Sequence, residues 1–245
     1  MNRRHHALHS PAIGVHGDVL IYGHWGRPLI AFPSQQGNVH DWEAQGMIDA
    51  IGGLIEGGRV KVYCVASFDS GSWFSGAELE EAARRHGRYE DWLVNQVAPF
   101  VHEDCGGAQE IATLGVSLGA FHAVNFALRR ADAFPLALGL SGNYDPGSWG
   151  WGERGDAAYF NNPFDSLAHA GGDHLDWLRS RLSVQLVCGQ GMWEDTTGAL
   201  ESSKRLAGLL AEKGIRCELD LWGHDVPHDW PSWRAQIAHH LPRFC

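Results

Sequence analysis

The sequence predicts an α/β fold, a doubly wound and mostly parallel sheet of about eight strands with helices on both faces. Three observations carry that expectation. Short runs such as 60–66 (VKVYCVA) and 184–188 (VQLVC) are apolar at consecutive positions, the mark of strands covered on both faces. They alternate with longer stretches of helical periodicity, which implies right-handed crossovers between parallel neighbours. The 245 residues, 44% hydrophobic and 20% charged, suit one large domain with a sizeable core and exclude wholesale disorder.

In chain order, strands are expected at 7–13 and 17–22. No helix separates this first pair, so it should be antiparallel. Further strands are expected at 29–32, 60–66, 110–116, 136–140, 184–188 and 217–222. Helices are expected at 42–55, at two segments within 78–100 parted around Gly87, and at 118–130, 197–213 and 232–241. Residues 142–180 are the irregular part. They carry Tyr144, Trp149, Trp151, Tyr159, Phe160 and Phe164 among many glycines, too aromatic for a disordered linker and too glycine-rich for a plain helix. They read as a lid-like excursion beside the carboxyl ends of the strands, within a single domain spanning 1–245.

Composition narrows the function. With 19 basic and 29 acidic residues the formal charge is −10, which argues against nucleic acid and anionic membranes as partners. No apolar run is long enough to span a bilayer, and the opening MNRRHHALHSP lacks the apolar stretch of a secretory signal, so a cytoplasmic protein is expected. The cysteines Cys64, Cys105, Cys188, Cys217 and Cys245 are scattered without CxxC spacing and do not read as a disulfide framework or a zinc ribbon. His5, His6 and His9 read as part of an alternating strand or a loose end rather than a metal site. No metal or organic cofactor is expected.

Gly115-Val116-Ser117-Leu118-Gly119 carries the chemistry. This G-x-S-x-G follows a strand and opens a helix, the context of a nucleophile elbow. The glycines let strand and helix backbones approach with no Cβ between them. A serine hydroxyl needs a base to take and return its proton. The segment 222–233 (WGHDVPHDWPSW), just past the last strand, offers His224 and His228, and Pro227 and Pro231 argue against a helix there and so against a zinc site shared by the two histidines. An acid must orient the imidazole, and the loop after the strand 184–188 offers Glu194, which is preferred, or Asp195. Two N–H donors must receive an oxyanion: Leu118, after the nucleophile, and a residue of the loop 32–38, with Gln35 preferred over Gln36.

On these residues the chain resembles the putative esterase family of α/β-hydrolases, which includes esterase D-type enzymes, feruloyl esterases and mycolyltransferases. Three stretches carry the likeness: 115–119, the acid loop 189–195, and His228-Asp229-Trp230-Pro231-Ser232-Trp233. The resemblance implies Ser117 as nucleophile, His228 rather than His224 as base, Gln35 as oxyanion donor, and a small-molecule ester or thioester as substrate. Trp73, Phe74, Trp149 and Trp151 are candidates to line an apolar acyl or aromatic pocket, although most of the eleven tryptophans are expected to be packing residues. The expected function is a serine esterase working through an acyl-enzyme. The alternatives are an acyltransferase with the same triad and a non-catalytic binding scaffold. Formation of a homo-oligomer is left open.

Overall fold

In a computed structural model describing residues 1–245, eight strands form one sheet in the order β1-β2-β4-β3-β5-β6-β7-β8. The strands are β1 (Arg3–Ser10), β2 (Val15–Tyr22), β3 (Arg27–Phe32), β4 (Val60–Val65), β5 (Ala112–Val116), β6 (Leu136–Leu140), β7 (Ser183–Cys188) and β8 (Arg216–Leu221). β1 pairs antiparallel with β2, and β2 antiparallel with β4; every other pairing is parallel. The antiparallel start and the parallel remainder are those the sequence predicts.

The helices are α1 (Asp41–Ala44), α2 (Met47–Ala50), α3 (Gly52–Glu56), α4 (Leu79–Trp92), α5 (Ala98–Asp104), α6 (Leu118–Arg129), α7 (Asp156–Phe160), α8 (Pro163–Ala168), α9 (Gly172–Arg181), α10 (Ala199–Glu212) and α11 (Trp230–His240). The sheet divides the core in two. α4, α6 and α10 pack on one face, where Phe121, Phe126 and Leu206 are buried; α1–α3 and α11 cover the other, around Trp42 and Trp233. Strand periodicity decides the sides: in β2, Val19 and Ile21 face the first cluster, Leu20 and Tyr22 the second. From Leu118 to Leu128 every residue of α6 is buried, which is why that stretch is apolar nearly all round and sits at the centre of the molecule.

Several expected boundaries move. β1 begins at Arg3 and ends at Ser10, not at 7–13, because Pro11 opens a tight turn in which the Gly14 N–H donates to the Ser10 carbonyl (2.8 Å). Edge strands need little apolar sequence, so the polar RRHH was missed; its side chains alternate, with His5 on Asp18 and His6 on the Phe100 ring. The helix expected at 42–55 is three short ones, broken at Gly46 in the left-handed region (φ 73°). α4 passes through Gly87 unbroken. The deviation comes later, as a π-helical segment at Leu93–Val97 just ahead of Pro99, whose ring and missing N–H a regular helix could not accommodate.

The excursion 142–180 is more helical than its composition suggests, containing α7, α8 and most of α9. It is pinned to α4. Glu80 accepts from the N–H groups of Gly155, Ala157 and Ala158, and the Trp151 carbonyl accepts from the Leu79 N–H. Burial alone would raise the Glu80 carboxyl, but those three N–H donors and Arg84 outweigh it and hold it below its ordinary value.

Candidate active site

The candidate residues converge at the carboxyl ends of the parallel strands. Ser117 sits between β5 and α6 with φ 55° and ψ −122°, a conformation few L-residues adopt. The flanking glycines make the bend possible. A Cβ on Gly115 would lie 1.9 Å from the Gly119 carbonyl oxygen, and one on Gly119 would lie 2.2 Å from that of Pro33. The elbow predicted from the motif is thus a close approach of backbones that only glycine permits.

His228 places Nε2 3.0 Å from Ser117 Oγ and Nδ1 2.9 Å from Glu194 Oε2. Glu194 is fully buried. A buried carboxylate must be hydrogen-bonded, and this one accepts from Ser141 Oγ (2.6 Å), the Gly189 N–H (3.2 Å) and Cys188 Sγ (3.4 Å) besides the imidazole. An ionised carboxylate only accepts, so Nδ1 carries the ring hydrogen and Nε2 presents its lone pair to the serine hydroxyl. Burial, then the neighbouring Glu194 charge, pushes the Cys188 thiol well above its ordinary range, leaving it a neutral donor.

The remaining candidates fall elsewhere. His224 bonds the Gln190 carbonyl through Nδ1 (3.3 Å), and Asp195 is an exposed residue accepting from the Thr196 N–H. The acid and base loops are laced together by backbone bonds from Gly191 N–H to the Val226 carbonyl and from His228 N–H to the Met192 carbonyl. The DWPSW run has a physical reading. Asp229 caps α11 by accepting from the Ser232 N–H, Pro231 occupies the first turn, and Trp233 reaches back to donate to Ser141 Oγ (3.0 Å). Its ring also meets His228 edge-on, with centroids 5.0 Å apart. Ser141 was not singled out in the sequence; it carries no motif and acts by joining Trp233 to Glu194.

A cleft of about 340 Å³ opens over Ser117, lined by Gln35, Phe74, Leu118, Asn143, Trp149 and His228 among others. The N–H groups of Gln35 and Leu118 are not taken by other protein groups, whereas the Gln36 N–H is bonded to Asp69 Oδ2 (2.8 Å) and its side chain to Ser70. Of the tryptophans named from sequence, Trp149 lines the cleft and the other two do not. Trp73 is buried behind it, edge-on to Trp149 and Phe121, and Trp151 is turned outward and largely exposed while its backbone holds α4. A larger cavity, about 590 Å³, opens at the opposite edge of the sheet among Arg27, Arg216 and Arg243, but no histidine lines it.

Backbone strain concentrates at the site. Gln36 (φ 54°), Ser117 (55°), Ser141 (53°) and Trp193 (76°) are the non-glycine residues at positive φ, one after each of the neighbouring strands β3, β5, β6 and β7. Each such residue costs on the order of 1–3 kcal/mol, which the packed surroundings must offset.

The family model described as "Putative esterase" matches residues 39–244. No curated protein matches the sequence. Among solved structures, a ferulic acid esterase superposes with a TM-score of 0.76 at 16% identity, covering 99% of this chain and 97% of its own. S-formylglutathione hydrolase FrmB of Staphylococcus aureus gives 0.73 at 13% identity (99% and 98% covered), and MPT51 of Mycobacterium tuberculosis gives 0.72 at 16% (99% and 97%). At such identities these neighbours establish the α/β-hydrolase fold. The family match goes further: the chain belongs to the putative esterase family and is an esterase.

Proposed function

We propose that the chain is a serine carboxylic ester hydrolase that works through an acyl-enzyme on Ser117, with His228 as base and Glu194 as acid. The observation that carries this reading is the unbroken hydrogen-bonded line Ser117 Oγ–His228–Glu194. Nε2 of His228 takes the hydroxyl proton as Oγ attacks the ester carbonyl. Glu194, already bound to Nδ1, stabilises the imidazolium that forms. The carbonyl oxygen gains charge and is received by the N–H groups of Gln35 and Leu118, the second lying at the positive end of α6. Gln35 is preferred over Gln36 because the Gln36 N–H is already committed.

The protonated imidazole then gives its proton to the departing alkoxide. Water enters, loses a proton to the same nitrogen and attacks the acyl carbonyl, releasing the acid and restoring the serine. The single domain 1–245 supplies the cleft, and the excursion 142–180 part of its wall through Asn143 and Trp149; Trp149 and Phe74 offer apolar surface to an acyl or aryl group, Asn143 and Thr197 polar contacts.

The test combines a fluorophosphonate probe with a panel of p-nitrophenyl esters of rising chain length. The native chain is expected to hydrolyse a subset of the panel and take one equivalent of probe, and Ser117→Ala to do neither. Labelling of the alanine variant would remove Ser117 from the mechanism. Product analysis with an added alcohol separates hydrolysis from acyl transfer.

A further inference from the structure

A second buried carboxylate lies beneath the oxyanion loop. Ser34 to Gly37 form a tight turn, with the Gly37 N–H on the Ser34 carbonyl (3.0 Å). Gln36 takes its third position at φ 54°, where glycine or asparagine is ordinarily needed. The compensation comes from outside the turn. Asp69, in the loop after β4 and 1% exposed, accepts the Gln36 N–H on Oδ2 (2.8 Å) and His122 Nε2 on Oδ1 (2.8 Å). His122 is itself buried on α6, five residues beyond the nucleophile, stacked on His86 with centroids 5.0 Å apart. Burial, then the neighbouring His122, holds the His86 imidazole well below its ordinary value, so it stays neutral there.

We infer that Asp69, clamped by His122, is a positioning residue for the oxyanion hole: by holding the Gln36 N–H it fixes the peptide plane one Cα away from the Gln35 N–H and keeps that donor aimed at the cleft. This rests on the reading of Ser117 and Gln35 given above. The same device ties both halves of the hole to one element, since Leu118 opens α6 and His122 lies one turn further along it. Oxyanion donors act by being fixed before charge develops, so a loosened donor slows chemistry without weakening ground-state binding.

Asp69→Leu, close in volume, removes both acceptor oxygens and leaves the Gln36 N–H without its partner. It is expected to lower kcat on the order of 10²-fold, with KM changed less than about threefold and affinity for a boronic acid transition-state analogue reduced in parallel with kcat. Fluorophosphonate should still reach full occupancy on Ser117, more slowly. His122→Asn, altering the clamp from the helix side, should lower kcat by roughly tenfold with the same unchanged KM. A folded Asp69→Leu enzyme, or failing that a folded His122→Asn enzyme, with kcat within threefold of the native chain overturns the inference. So does a rise in KM with boronate affinity intact. If the native chain takes no probe at all, the reading of Ser117 fails first, and the role given to Asp69 fails with it.

Discussion

The two edges of the sheet handle buried carboxylates differently. At the amino-terminal edge, Asp104 at the end of α5 is met by Arg4 of β1 (2.7 Å), Lys61 of β4 (2.7 Å) and the Tyr63 hydroxyl (2.9 Å). At the carboxyl-terminal edge, Glu194 and Asp69 are more deeply buried, yet the ring nitrogens of His228 and His122 are their only basic partners. The same edge holds every non-glycine residue at positive φ. Fixed cations lock a carboxylate for stability. A carboxylate facing only imidazole orients the ring through a hydrogen bond instead of being locked by a fixed charge. The difference separates an edge held by fixed cations from one whose buried carboxylates meet imidazoles beside the proposed site.

The contrast is broken most severely at the imidazole. His228→Ala should lower kcat on the order of 10⁶-fold, and His224→Ala by no more than a few fold, in assays with the best p-nitrophenyl ester. The reverse ranking would move the base to His224. Glu194→Gln comes next, with a fall on the order of 10⁴-fold, because an amide that donates to Nδ1 imposes the wrong tautomer while leaving the protein folded.

Asp104→Asn probes the other edge and should act on stability instead. Lys61, almost wholly buried, would lose its counter-charge, at a cost of about 3 kcal/mol by chemical denaturation, with kcat nearly unchanged. The pH dependence follows from the same contacts. Burial alone would raise the Asp104 carboxyl, but Arg4, Lys61 and Tyr63 outweigh it and depress it. A depressed acid contributes stability that is present above its unfolded value, near 3.8, and is lost as pH falls through the lower folded value. The variant should therefore show a shallower acid limb below about pH 4 than the native chain. An equal acid limb in both would show that Asp104 is not the group responsible.

The smallest effects belong to the tryptophans. Trp149→Ala should raise KM several-fold for the bulkier esters of the panel. Trp151→Ala, outward-facing, should leave KM within twofold. Equal effects from both would place Trp151 against the substrate.

What the sequence made legible was what is local. The G-x-S-x-G elbow is written within five consecutive residues, the acid loop 189–195 and the His228-Asp229-Trp230-Pro231-Ser232-Trp233 run within six or seven each, and continuous apolar runs exposed the central strands. Ser141, Asp69 and His122 escaped because their role is assembled from loops far apart in the chain: Ser141 meets residues 53 and 92 positions away, and Asp69 meets His122 across 53. The strained conformations of Gln36 and Trp193 left no signal either, since neither residue type advertises a positive φ. That Trp149 lines the cleft while Trp73 and Trp151 do not was illegible for a related reason. Aromatic content marks a region as packed but does not say which ring faces the cleft.

The central claim is that Ser117 Oγ carries the acyl group. Mixing the native chain with a p-nitrophenyl ester, quenching in acid during the first turnover and mapping the digested protein by mass spectrometry tests it directly. The expected result is one acyl group per chain, on the peptide bearing Ser117, formed with the burst of nitrophenol and absent in Ser117→Ala. Turnover with no acylated peptide, or with the acyl group on another residue, would contradict the account.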